Sequence, residues 1–334
     1  MRSIVWTGYG GPNHLAPAEL PTPSPAAGEV LVRVRAAGVT AGDGELRRMR
    51  LPLGLSGPMR LYVGLFRPRR IRVLGQEFAG VVAAVGEGVT RWAPGDRVFG
   101  TTGMGFGAYA EYVIAQESPG DTDGSLAAMP SNLDFARAAV LPTAGMEAQH
   151  FLRAAELSPG DEVLVIGAGG SIGSYAVQLA RRAGARVIAV DRAEKLELLR
   201  ELGAHQVVDF AVDETPLERG RYRAIVDVVG RRLSSPFLKA LVPGGRYCVA
   251  NPRLLHIVEG WAARLAGRHL MIQPSDQSAA ELADLVALVE DGTLVVPLDR
   301  TYELEEAADA HRYLDSGQKK GNIALVVDPE GPEG

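Results

Sequence analysis

Residues 161–191 read DEVLVIGAGGSIGSYAVQLARRAGARVIAVD, and this stretch decides the fold. Val163 to Ile166 form an uninterrupted apolar run, suited to a strand buried on both faces. Glycines follow at 167, 169, 170 and 173. Ile172, Tyr175, Ala176, Leu179 and Ala180 then fall on one helical stripe. Gly184 ends that helix, and Val187 to Val190 form a second strand closing on Asp191. The spacing predicts a βαβ unit with a dinucleotide-binding fingerprint, in which Gly167, Gly170 and Gly173 fit A/G-x-x-G-x-x-G because Ala168 stands where G-x-G-x-x-G needs its first glycine. Glycines let the backbone approach a pyrophosphate where a Cβ would collide. The helix start at Ser171, Ile172, Gly173 and Ser174 turns free N–H groups and a positive dipole end toward it. Asp191 is placed to accept from an adenosine ribose. Were the glycines there only for tight helix–strand packing, the position of Asp191 would be coincidence.

At 334 residues two domains are expected. A net charge of −5 gives no general drive toward nucleic acid or an anionic membrane. The single cysteine, Cys248, excludes an internal disulfide framework and a cysteine-rich zinc lobe. No apolar run approaches the roughly 18 residues of a membrane span, and the first residues lack a signal peptide's apolar core, so a cytoplasmic location is expected.

Upstream of the fingerprint, Glu29 to Ala36 alternate as a half-buried strand, and valine-rich segments between 73 and 114 are separated by Gly and Pro-Gly-Asp turns, the punctuation of a barrel. Residues 41–72 hold eight arginines between Arg47 and Arg72. They are read as a lid or loop over the active site, because thin aromatic interleaving and the acidic chain make nucleic acid binding unlikely. Downstream, helices are expected at 147–157, 193–202, 233–241 and 282–290. Strands are expected at 206–209, 224–229, 246–250, 294–296 and 323–327, and a disordered tail at 328–334. The predicted fold class is α/β, a β-rich part that the C-terminus rejoins plus a doubly wound domain, with the ligand in the cleft at the strands' carboxyl ends.

The order of these pieces resembles the medium-chain dehydrogenase/reductase superfamily, and within it the zinc-independent quinone oxidoreductase-like branch. The motifs carrying the resemblance are LGQEFAGVVAAVGEGVTRWAPGDRVFG at 74–100, GAYAEYV at 107–113, the fingerprint, KLELLRELGAHQVVDF at 195–210, LVPGGRYCVA at 241–250 and the ending from 298. The resemblance implies a GroES-like catalytic domain over 1–124 and 298–334, and a Rossmann domain over 125–297. It also implies hydride transfer from NAD or NADP to a small-molecule substrate, by a homodimer or homotetramer.

The departures shape the chemistry. Zinc-dependent relatives carry a Cys after Ala-Gly-Val and a His in Gly-His-Glu; here Thr40 follows Ala37-Gly38-Val39, and the second motif reads Gly75-Gln76-Glu77. Thr and Gln are not usual zinc ligands, and the six histidines show no ligand spacing, so no metal is expected. Enoyl-thioester reductase relatives place a Tyr acid shortly after this turn; AGDGELRRMRLPLG holds none, and Tyr62 is the nearest. Candidate catalytic residues are therefore Thr40, Asp43, Gln76 and Tyr62. Each of the first three reads equally well as a turn or cap, and Asp43 could pair with Arg47 one turn on. Candidate cofactor residues are Thr143, Gly167, Gly170, Ser171, Ile172, Gly173, Asp191, Arg192, Lys195 and Gly230. Asp191 favours NAD slightly, against Arg192 and Lys195, which suit a 2′-phosphate. At Gly321-Asn322 the family's common Gly-Lys is missing. The alternatives are an alcohol dehydrogenase-type enzyme and a low-turnover cofactor-binding or RNA-binding protein.

Overall fold

A computed structural model describes residues 1–118, 120, 123–213, 215–230, 234–265 and 267–328. Its first part is β-rich. Strands β1 (Arg2–Trp6) and β2 (Leu15–Glu19) form a hairpin, followed by β3 (Glu29–Gly38), β4 (Glu77–Val85), β5 (Arg97–Thr101), β6 (Tyr112–Gln116) and β7 (Ser125–Ala128). In β3 the expected alternation holds in part: Val30, Val32 and Val34 are buried and Arg33 is exposed, but Leu31 is buried and Arg35 half-buried. Helices α1 (Ala41–Arg48) and α2 (Ser56–Val63) carry the arginine-rich segment. Helices α3 (Phe135–Ala139) and α4 (Pro142–Ala155) lead into the second part.

That part alternates strand and helix except between β10 and β11: β8 (Glu162–Ile166), α5 (Ser171–Arg182), β9 (Arg186–Asp191), α6 (Leu196–Glu201), β10 (Gln206–Asp209), β11 (Tyr222–Asp227), α7 (Ser234–Ala240), β12 (Leu241–Val249), α8 (Leu254–Leu265) and β13 (His269–Met271). All its pairings are parallel, in the order β10-β9-β8-β11-β12-β13. Numbered from β8, this is 3-2-1-4-5-6, the doubly wound order whose switch point lies between β8 and β11. Helix α9 (Ala279–Glu290) follows, and the chain then returns through β14 (Leu298–Glu303), α10 (Ala307–Ser316) and β15 (Asn322–Val326) to the barrel sheet, β14-β15-β3-β4-β5-β7 with β6 on β3. The α/β class with a GroES-like part and a Rossmann part is the one expected. Because β7 pairs with β5, we propose the first division after Ala128 rather than at 124/125; the second stays at 297/298, where β14 begins.

Several element bounds differ from expectation. The strand expected at 294–296 is loop, and pairing starts at Leu298 beside Asn322. The helix expected from Glu147 starts at Pro142, a residue preorganised for the first turn, and ends where Glu156 turns left-handed at φ 50°. The Pro243-Gly244-Gly245 turn lies within β12, where the register with β11 shifts. The sequence reading did not place α8 and α10, and the positions 329–334 of the expected tail and Leu233 lie outside the described residues. Among the described residues no helix is long and apolar enough to cross a membrane.

Candidate active site

One wall of the cleft is the fingerprint loop. Gly167 has φ +74°, and a Cβ there would sit 3.0 Å from Val229. A Cβ on Gly173 would come within 2.5 Å of Gly167 O and 2.6 Å of Ala168 Cα, so α5 seats on the strand end only because that position is bare. Gly170 is the extended N-cap of α5, leaving Ser171, Ile172 and Gly173 to present the first N–H groups. Asp191 is buried; its Oδ2 accepts from Gly169 N–H at 2.8 Å, and its Oδ1 accepts from Arg192 N–H at 2.8 Å and lies 3.5 Å from Lys195 Nζ. A carboxylate offers about four acceptor sites, so Asp191 anchors the loop and keeps capacity for ribose hydroxyls. Backbone cradle, helix start and acid fit a dinucleotide: residues 167–173 would hold its pyrophosphate and Asp191 its adenosine ribose. Gly230, at φ +62°, lies one strand away, where a Cβ would strike Asn251 O at 2.3 Å.

Lys319 joins this wall and was missed in the sequence, where nothing separates it from Lys320. Its buried Nζ donates to Ser171 Oγ at 2.7 Å and to Gly321 O at 2.6 Å, while Gly321 N–H donates to Gly169 O at 2.8 Å. The approach to β15 is thus pinned on the glycine loop. Burial, with the charge of Lys195 nearby, pushes the Lys319 ammonium down to about 8.

The other wall is built of buried side chains. Thr40 caps α1, and Thr40 with Asp43 forms a capping box. The fully buried Asp43 accepts from Thr40 N–H (3.0 Å), Thr40 Oγ1 (2.6 Å) and Gly75 N–H (3.0 Å). Burial raises its pKa, and these bonds oppose the rise. The pairing of Asp43 with Arg47 does not form. Asp43 turns back over the helix start, whereas the buried Arg47 reaches Asp315 (2.5 Å), Gly10 O (2.5 Å) and His311 Nδ1 (3.2 Å). Burial, with Arg47 beside it, pushes His311 down to about 3, so the ring is neutral. Arg47 donates to Nδ1, so the ring proton sits on Nε2 and is donated to Tyr109 Oη at 3.1 Å. Gln76 Nε2 donates to Gly103 O at 2.7 Å. Glu77 Oε1 accepts from Thr143 N–H at 2.7 Å, and burial pushes its carboxyl up to about 7. Thr40, Asp43, Gln76 and Thr143 are thus gathered at one end of the cleft. Tyr62 stands on α2 with the Arg70 guanidinium 4.1 Å from its ring centre; no hydrogen bond joins it to those four among the described residues.

Beside these groups, between α1 and the carboxyl ends of β11 and β12, lies a cavity of about 920 Å³, bounded by Ala41, Glu45 and Arg48 of α1, by residues 50–54, by Val228–Gly230 beyond β11, by residues 251–255 beyond β12, and by Leu314, Asp315 and Gly317 at the end of α10. Asn251 Nδ2 donates to Glu45 Oε1 at 2.7 Å, and Leu53 N–H reaches Pro252 O at 3.3 Å. Part of the arginine-rich segment therefore crosses to the Rossmann side. Sequence reasoning missed Glu45, for which the signal was a carboxyl in the span that lacks the tyrosine of enoyl-thioester reductase relatives.

Comparison with known proteins agrees with this architecture. Residues 26–119 match the Alcohol dehydrogenase GroES-like domain and residues 202–325 match the Zinc-binding dehydrogenase family. The chain is 34% identical over 277 residues to a pikromycin polyketide synthase component of Streptomyces venezuelae, 78% of this chain but 7% of that protein, so it spans a small fraction of that relative's length. It is 30% identical to a quinone oxidoreductase of Pseudomonas aeruginosa, covering 97% of this chain and 99% of that one. The Escherichia coli quinone oxidoreductase complexed with NADPH superposes with a TM-score of 0.82 at 26% identity, covering 98% of this chain and all of that one. The fingerprint wall, the barrel and full-length similarity agree, and the chain belongs to the medium-chain dehydrogenase/reductase superfamily, in its quinone oxidoreductase-like branch.

Proposed function

We propose that this protein is a zinc-independent, NAD(P)H-dependent reductase that acts on a quinone or an α,β-unsaturated carbonyl. The observation that carries this reading is the chemistry at Thr40 and Gln76. Zinc takes thiolate, imidazole or carboxylate. Here Thr40 Oγ1 is bonded to Asp43 and the Gln76 amide to Gly103 O, and among the described residues no three His, Cys, Asp or Glu side chains cluster as a metal site. The residues do not fit the zinc that a family description names. A conjugated acceptor suits such a site, because its oxygen needs only hydrogen bonds as charge develops. The bound nicotinamide would supply the hydride. Thr40, Asp43 and Gln76 order the barrel wall, and residues 50–54 border the cavity.

Asp191 supports NADH, since an acid there accepts from the 2′-hydroxyl and repels a 2′-phosphate. The exposed Arg192 is the group that would take the phosphate instead. Nucleic acid binding loses support, because Arg47 and Arg48 pair with Asp315, Arg60 lies over Tyr9 and Arg70 over Tyr62. Self-association has its support in α8, where Val258, Trp261 and Leu265 are exposed beside the edge strand β13.

Parallel titration of the purified protein with NADH and NADPH, then turnover of a simple quinone and an enone with zinc analysis, tests the reading. Reduction of either acceptor without zinc is expected. Zinc at one per chain with alcohol oxidation would replace it with the alcohol dehydrogenase reading. Binding of neither cofactor would sink both.

A further inference from the structure

Reduction of a conjugated acceptor consumes a hydride and a proton, and the residues so far described account only for the site that receives the first. A proton donor must have a titratable group facing the cavity. Asp43 and Glu77 are carboxyls in the right region, but both are buried and held by backbone N–H groups. Glu45 differs. Positions 41, 45 and 48 recur at helical spacing, so one stripe of α1 faces the cavity, and Glu45 is the acid in the middle of it. Its Oε1 accepts from Asn251 Nδ2, while Oε2 makes no hydrogen bond among the described residues. Asn251 is itself fixed across the cleft, because its carbonyl packs on the bare Gly230. The cavity adjoins the carboxyl end of β11, where Val229 stands so near the fingerprint that a Cβ on Gly167 would come within 3.0 Å of it.

Resting on the reductase reading above, we propose that Glu45 is the catalytic acid of this enzyme and that Asn251 is its positioning residue. As hydride adds to the β-carbon of an enone, the C=C π pair becomes the bond between the α-carbon and the carbonyl carbon, and the C=O π pair moves onto oxygen. The Glu45 Oε2–H bond then breaks, and its proton joins the acceptor. With a quinone the proton goes to the reduced oxygen and gives the hydroquinone. Either way the acceptor gains one hydride and one proton, and the Glu45 carboxylate recovers its proton from water at the cleft mouth. Burial supports this role by raising the Glu45 pKa, opposed by the Asn251 bond and the charge of Arg48. The other charged groups facing the cavity are Arg50, Arg253 and Asp315, with Asp315 engaged by Arg47 and Arg48.

The test compares wild type, Glu45→Gln, Glu45→Asp and Asn251→Ala by NADH and NADPH affinity, by kcat against pH, and by the pH dependence of bound-cofactor fluorescence. Glu45→Gln is expected to bind cofactor within about twofold of wild type, to lose on the order of 100-fold or more in kcat, and to lose the fall of kcat at high pH. Glu45→Asp recovers part of the rate. Asn251→Ala removes a donor to the carboxylate, so the fall moves to higher pH. Wild-type kcat and an unchanged profile in Glu45→Gln would overturn the proposal. If wild type reduces neither acceptor, the reductase reading fails, and the fluorescence still decides the place of Glu45. A pH transition in bound NADPH that Glu45→Gln abolishes keeps the carboxyl at the nicotinamide, and one that persists removes it.

Discussion

The two walls of the cleft hold their polar groups in opposite ways. The Rossmann wall is mostly backbone: glycines 167, 169, 170 and 173 and the start of α5, tied together by Asp191, all within one stretch of chain. The barrel wall is assembled from Thr40, Asp43, Arg47, Gln76, Glu77, Tyr109, His311 and Asp315, which meet only after folding. The first wall therefore fails when an atom is added, and the second when a charge loses its partner. Gly173→Ala tests the first. Its Cβ would press on backbone atoms on two sides, so NAD(P)H affinity is expected to fall on the order of 100-fold, about 2.7 kcal/mol, in a fluorescence titration. Affinity within threefold of wild type would show that α5 can shift without cost, and the contrast between the walls would dissolve.

Asp315→Ala tests the second wall. It strands the buried Arg47 guanidinium, whose remaining partners are Gly10 O and His311. Breaking a buried pair costs about 3–5 kcal/mol; Asp315 is 27% exposed, so about 2–3 kcal/mol is expected by urea denaturation. The exposed pair Arg200–Glu197 is the control, and Glu197→Ala should cost less than about 0.5 kcal/mol. Equal losses in the two variants would deny the barrel wall its special dependence on pairing.

This contrast also explains what could be read in the chain. The fingerprint is local, so periodicity, glycine spacing and one acid at a strand end were enough to place the cofactor wall. Asp43 and Arg47 sit at i,i+4, and spacing favoured a pair; only the fold shows that Asp43 caps α1 while α10 brings Asp315 and His311 to Arg47. Lys319 and Glu45 escaped for the same reason. One acts on a loop about 150 residues earlier, and the other matters because Asn251 stands opposite. The strand expected at 294–296 failed because Leu294 and Val296 are buried without a pairing partner, while the exposed Val295 exchanges its backbone bonds with the Gln178 side chain instead.

Lys319 links the walls, and its burial gives a pH signature. Its proton leaves near pH 8 in the folded protein but near 10.5 in the unfolded chain. In between, the unfolded state holds more protons, so unfolding free energy rises with pH. Between pH 8 and 9.5 wild type is expected to gain up to about 2 kcal/mol relative to Lys319→Met, read from urea midpoints at each pH. Parallel curves for the two proteins would mean that Nζ is solvated and that the link to Ser171 is not maintained in solution.

The smallest effect is expected at Tyr62, and it bears on which wall supplies the proton. The hydroxyl of Tyr62 has no bond to Thr40, Asp43, Gln76 or Thr143, and its ring is held beneath Arg70 through a cation–π contact that phenylalanine preserves. Tyr62→Phe should therefore change kcat by less than about twofold, since a general acid is worth roughly 100-fold or more. A tenfold fall in kcat, with cofactor affinity unchanged, would show that the arginine-rich segment closes over the loaded cavity and brings Tyr62 to the acceptor. Glu45 would then be left with the lesser task of holding Asn251, and the barrel wall would be complete only in the closed enzyme.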